Sequence, residues 1–289
     1  MGTKFGMSFD MNAAWMRALD LVKENFQLLA VVAGVFFLLP SLAIYLLAPD
    51  AMTALSDPSL FSDPDADPEL VLQQFQEELG PIFAISGVIS IVQFAGYGAM
   101  VGLMGRRRPT VGESVLKGAA ATPSTFAVLL IFFLLYLLAL LIVIVPFGLI
   151  GGLLGLPELG AIAAFPAALS SVWIMARMSL SLPVMILENT LNPIKATLRS
   201  FKLTHKNQWM ILLFWTVLFI GYFIFALLFT GLIGVVSGLT GQGIIGSLIL
   251  GLSNGATAMV FGMFLCGLGV AIYEQLAGLQ SEDVAEIFE

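Results

Sequence analysis

The residues in this chain best suited to chemistry are cations, and the chemistry they suit is the holding of anions. Lys195, Arg199, Lys202 and Lys206 recur at spacings of four, three and four, which puts them on one face of a helix. Ile194, Leu198 and Phe201 recur in the same rhythm and are expected on the opposite face. Asn192-Pro193 supplies a start, an Asx cap followed by proline at the first helical position. A helix that is cationic on one side and apolar on the other lies in a membrane interface beside anionic headgroups. An ordinary basic loop is the plainer reading of the same residues. A second group, Arg106-Arg107-Arg108, closes an apolar run, where it anchors topology and meets anionic lipid.

Arg177 stands apart, about ten residues inside an apolar run and hence ~15 Å deep if that run is helical. An intramembrane charge is costly and marks a functional site by default, here one for a lipid phosphate or another anion. The competing role is structural: a guanidinium that snorkels, or that bonds carbonyls freed near Pro183. No acidic residue lies deep in another apolar run, so no partner for it can be named from the sequence.

Other chemistries are poorly served. Serine-histidine catalysis would need His205, the single histidine, which has no serine elbow near it. One histidine and one cysteine, Cys266, also exclude a multi-histidine metal site and an internal disulfide. Asp63, Asp65, Asp67 and Glu69 alternate with Pro64, Ala66 and Pro68. They lack the glycine turn and distal glutamate of a calcium loop and read as a solvated acidic stretch. No catalytic residue, metal or cofactor is expected, and with no basic, aromatic-studded soluble segment, nucleic acid is not an expected partner.

The elements that carry these residues are membrane spans. Of 289 residues 59% are hydrophobic and 11% charged, with a mean hydropathy of +0.99, whereas a soluble domain is about 25% charged. Six apolar runs, about 26–48, 81–104, 125–149, 159–187, 209–236 and 243–272, are each long enough to cross a ~30 Å hydrocarbon core. An amphipathic segment over 1–25 leads into the first. The loop over 49–80 is acidic, with a short helix expected over 70–79, and 273–289 form an acidic tail. Eleven of the twelve basic residues fall in the N-terminal segment, the 105–124 loop or the 188–208 loop. By the positive-inside rule both termini are cytoplasmic. Pro40, Pro146, Pro166 and Pro183 could break spans around a transport site. The pairs Gly98/Gly102, Gly148/Gly152, Gly234/Gly238 and Gly251/Gly255 have the spacing of close helix contacts. Gln93, Asn254 and Thr257 read as hydrogen-bonding glue between helices.

Asn12–Phe26, Gly112–Phe126 and Ile194–Gln208 superpose without gaps, and Arg17, Lys117 and Arg199 then coincide. Each is followed by a span, an outer loop and a returning span. The expected fold is therefore all-α and polytopic: six transmembrane helices as three hairpins, each preceded by an amphipathic interfacial helix. Parallel repeats of this kind are related by an axis along the membrane normal.

Arg177, Ser179, Pro183 and Glu188, followed by Ala196, Ser200, Leu203-Thr204 and Trp209, resemble a bacterial family, the glycerophosphoryl diester phosphodiesterase membrane domain. The run from Tyr273 through Glu274, Gln275, Leu276 and Ala277 to Gly278 is similar too. The family takes its name from chains in which such a region precedes a soluble phosphodiesterase domain, and no stretch after the sixth span here is more than a short tail. The resemblance implies an integral membrane region concerned with envelope or lipid biology, and not hydrolysis. The expectation is a non-enzymatic protein of the bacterial inner membrane that contacts anionic phospholipid. A small transporter or channel, a scaffold for a separate enzyme and a homo-oligomer are the other readings.

Overall fold

The computed structural model describes residues 9–47, 68–107, 109–156, 162–240 and 243–278, and all regular structure among them is helical. The chain is a multi-pass membrane protein with six helices long and apolar enough to span a bilayer. Helix α1 (Met11–Glu24) starts where the Asp10 side chain accepts the Asn12 and Ala13 N–H groups at 2.9 and 3.0 Å. Span one follows Asn25 as α2 (Phe26–Ala33), a π-helical turn (Gly34–Leu38) and α3 (Leu39–Leu47). Pro40 brings no N–H to the ladder, and the wider turn immediately before it is where the helix absorbs that defect.

Span two belongs to α4 (Pro68–Leu103), a single helix of 36 residues. The short helix expected over 70–79 is its first part, because Gly80-Pro81 does not interrupt the backbone. The acidic loop is thereby shortened at its C-terminal side, and its remainder, 49–67, lies outside the described residues. Span three belongs to α5 (Val111–Leu154), 44 residues with Pro123 and Pro146 inside it. The second amphipathic segment is thus not a separate helix but the first turns of its span. Span four is split instead: α6 (Ala164–Met178) ends at a turn, Ser179-Leu180, and α7 (Ser181–Leu187) restarts. Pro183, which cannot donate to the carbonyl four residues earlier, falls in the first turn of α7, where no donor is required. Helix α8 (Pro193–Thr204), a 3₁₀ turn (His205–Asn207), α9 (Gln208–Leu239) and α10 (Ile244–Leu276) complete the chain. Pro40 and Pro183 therefore sit beside breaks, Pro166 lies in the first turn of α6, and Pro146 interrupts nothing.

Spans two, four and six touch one another, and each odd span lies against two of them: span one against six and two, span three against two and four, span five against four and six. Burial follows that layout. Of the most apolar stretch of each even span 33%, 56% and 56% is buried, against 22%, 0% and 22% for the odd spans. The amphipathic segments close a ring at the basic end: α1 packs on α10, the first turns of α5 on α4, and α8 on α6 and α7. The core lies at this end, around Met100, Val101, Met185, Ile186, Leu268 and Ile272.

In lipid an apolar side chain gains little by leaving its solvent, so close contact between small residues decides which helices meet. A Cβ on Gly98 would stand 2.7 Å from the Cα of Gly118, so α4 and α5 approach through bare backbone. Gly251 and Gly255 face span one in the same way, with Leu42 and the Leu38 backbone 3.2 and 3.0 Å from their missing Cβ atoms. Gly148, Gly152, Gly234 and Gly238 have nothing within 4 Å, so their spacing serves no contact among the described residues. Asn254 donates to the Tyr45 hydroxyl at 3.1 Å, a tie between spans six and one.

Candidate functional site

Helix α8 begins as its sequence dictates, with the Asn192 side chain accepting the Lys195 N–H at 3.0 Å and Pro193 at the first position. Its faces differ from the expectation in one respect. At ~100° per residue, the apolar residues fall beside the basic ones rather than opposite them. The side opposite the cations is Ala196, Ser200 and Thr204, all fully buried against the bundle. Ile194 and Leu198 are 61% and 57% exposed, and Lys195, Lys202 and Lys206 are exposed on the adjoining side. The helix has a docked side, a greasy side and a charged side.

Docking rests on the break in span four. Where α6 ends, backbone groups lose their helical partners, which is costly in an apolar setting. Ser200 answers two of them: its hydroxyl donates to the Arg177 carbonyl at 2.6 Å and accepts from the Leu180 N–H at 3.3 Å. Arg177 therefore sits level with α8. Its side chain is 7% exposed, and its Nε and Nη1 are buried without a hydrogen-bond partner. The guanidinium carbon lies 4.8 Å from the Phe201 ring and 5.8 Å from that of Trp173. A cation held over aromatic faces contributes up to ~2 kcal/mol when desolvated, and Phe201 belongs to α8, so the contact helps to fasten that helix.

The three cations that superpose in sequence occupy matching joints. The N-caps Asp10, Thr110 and Asn192 stand in that same register. So do the buried Ala14, Ser114 and Ala196, and the buried Ala18, Gly118 and Ser200. On α1, Arg17 Nε donates to Glu274 Oε2 at 2.9 Å. Burial disfavours the Arg17 charge, but the hydrogen bond and charge of Glu274 outweigh it and raise the guanidinium above its ordinary value. On α8, Arg199 Nε donates to Glu188 Oε1 at 3.1 Å, and the Tyr273 hydroxyl donates to the same oxygen at 3.0 Å. Arg199, read from sequence as free for headgroups, is thus tied to the end of span four.

Lys117 makes no ion pair among the described residues; it lines a cavity of about 580 Å³ with Gly105, Arg106, Arg107, Glu113, Leu187 and Glu274. The ends of all three even spans meet at this vestibule. Arg106 and Arg107 are exposed there, and Arg108 lies outside the described residues. No cluster of three or more metal-ligating side chains occurs among the described residues. In the sequence Glu188, Tyr273 and Glu274 carry a likeness to a family but no chemistry of their own, and Arg17 belongs to the amphipathic N-terminal segment and to the repeat. The signal that links them is the superposition of Arg17 and Arg199, each paired with an acid that closes a returning span. Compared with known proteins, the chain matches no family model, no curated protein and no solved structure.

Proposed function

We propose that this is a non-enzymatic protein of the bacterial inner membrane, built as three copies of one unit with both termini cytoplasmic. It holds anionic phospholipid at its cytoplasmic face and supports envelope or lipid homeostasis. The observation that carries this reading is the three-sided α8. Its buried side fixes the helix to the bundle, while exposed Ile194 and Leu198 face outward beside exposed Lys195, Lys202 and Lys206. An interfacial helix needs that combination, apolar residues entering the acyl boundary and cations at headgroup level. The restriction of basic residues to alternate loops supports the orientation, and the matching N-caps and buried positions of the three joints support the repeat. The family likeness points to the same lipid setting. A transport role would need a polar cavity around Arg177, whose neighbours are instead the rings of Trp173 and Phe201.

The test is native mass spectrometry of the protein extracted with its membrane lipids, comparing wild type with the triple variant Lys195→Gln, Lys202→Gln, Lys206→Gln. Wild type is expected to retain phosphatidylglycerol or cardiolipin, and the variant to lose most of it while keeping zwitterionic lipid. Equal retention of anionic lipid by both would overturn the reading.

A further inference from the structure

Arg17, Lys117 and Arg199 hold one position in three joints built alike, yet among the described residues only Arg17 and Arg199 form an ion pair with a glutamate. The register of the exception can be read from the backbone contacts. Ala18 lies against Gly267, whose missing Cβ would stand 3.1 Å from the Ala18 carbonyl, and Gly118 lies against Gly98. Glu274 is seven residues beyond Gly267, so its counterpart seven beyond Gly98 is Gly105, followed by Arg106 and Arg107. Where the other joints supply an acid, this one supplies no side chain and then cations. Lys117 and Arg107 make no ion pair among the described residues, and both open onto the vestibule at that point.

We propose that this vestibule is a binding site for a phosphate-type anion, held by Lys117 and Arg107 with Arg106 at its rim. The bound anion takes the place that a glutamate holds in the other two joints. The two carboxylates in the cavity leave its charge positive: Glu274 is matched by Arg17 from outside it, and Glu113, which accepts the Thr110 N–H and hydroxyl at 2.9 and 3.0 Å, offsets only one of the cations Arg106, Arg107 and Lys117. In the wall behind Gly102, the Ser114 hydroxyl is fully buried without a partner, 3.4 Å from where a Gly102 Cβ would stand. A volume of about 580 Å³ lies within the ~300–1,000 Å³ of small-ligand sites. Arginine and lysine together suit a phosphate, one as a planar fork and one as a point charge. The site goes beyond the lipid contact on α8 and uses none of its lysines, so the two proposals fail separately.

The chemistry is shared by a lipid phosphomonoester headgroup and by soluble phosphate, and calorimetry on the full chain in neutral detergent separates them. The probes are inorganic phosphate and dihexanoyl phosphatidic acid, with dihexanoyl phosphatidylcholine as the control. Saturable binding of at least one phosphate probe is expected, weakened about ten-fold or more by Lys117→Gln and by Arg107→Gln and retained by Lys117→Arg. Arg106→Glu, which places an acid near Lys117, is expected to abolish binding. Binding of both probes identifies the phosphate group itself as the ligand, of the lipid alone a headgroup, and of the inorganic ion alone a soluble phosphate. The proposal is overturned if neither probe binds wild type. It is also overturned if the glutamine variants, with circular dichroism matching wild type, bind undiminished.

Discussion

The α1–α10 and α5–α4 joints share a geometry and differ in what holds them. At the first, Arg17 and Glu274 form an ion pair whose acid is 4% exposed, and Trp15 packs edge-on against Phe264 with ring centres 4.6 Å apart. At the second no such pair occurs among the described residues. Gly118 and Gly98 bring the two backbones into contact, and the Lys117 charge is left facing a cavity. The comparison shows that in this bundle the cation is not needed to dock an amphipathic segment. A glycine brings backbones close at the first joint too, Gly267 on Ala18, so the difference lies seven residues on, where Glu274 meets Arg17 in one joint and Gly105 leaves Lys117 on the cavity in the other. The α8 joint lies between the two, with an exposed Arg199–Glu188 pair and the buried Ser200 hydroxyl bonding the broken span.

The contrast is broken most severely at Gly118. A Cβ there would stand 2.6 Å from the Ala99 nitrogen and 3.1 Å from the Gly98 carbonyl carbon, all rigid backbone. Gly118→Val is expected to destabilise the protein by about 3 kcal/mol or more, since overpacking on backbone cannot relax. Denaturant unfolding in detergent measures it, and a cost near zero would mean the α4–α5 contact is not close. Glu274→Gln comes next. A fully buried pair costs about 3–5 kcal/mol to break, but Arg17 keeps 34% of its side chain exposed, so solvent screening reduces the expected loss to about 1–2 kcal/mol. The same assay should show the unequal response of the two joints, because Lys117→Gln removes no ion pair and is expected to cost less than Glu274→Gln. The smallest effect is that of alkali on α1. A guanidinium raised above its ordinary value contributes stability that is fully present below that value and lost only as pH rises through the higher one. Fluorescence of Trp15, in a chain whose other three tryptophans are phenylalanine, should therefore stay unchanged across alkaline buffers. A red shift there would mean that another group holds α1 down.

Much of this architecture is legible in the order of residues, because the signals are local. Six runs of apolar sequence make six spans wherever the chain folds in a bilayer, and the cap and proline at Asn192-Pro193 start α8 through their own neighbours. Arg17, Lys117 and Arg199 could be aligned by counting. Local signals also misled where two adjacent segments were compatible with one helix, as at Gly80-Pro81 and at Pro123, since neither proline stops a helix whose other bonds survive. The use of each side chain was settled by contact between elements distant in sequence. The sequence shows that α8 has a basic side, but only docking onto α6 and α7 makes the Ala196–Ser200–Thr204 side the buried one. Arg177 is visibly a charge among apolar residues, while its stacking on Phe201, across the Ser179-Leu180 turn and the whole of α7, depends on how the broken span folds back. The spacing of Gly98 and Gly148 is equally suggestive in sequence, yet only the first meets another backbone. Hydropathy and charge act residue by residue and so survive in the sequence; burial, pairing and the cavity beside Lys117 belong to which helices become neighbours, and that is decided by the packing of all six spans at once.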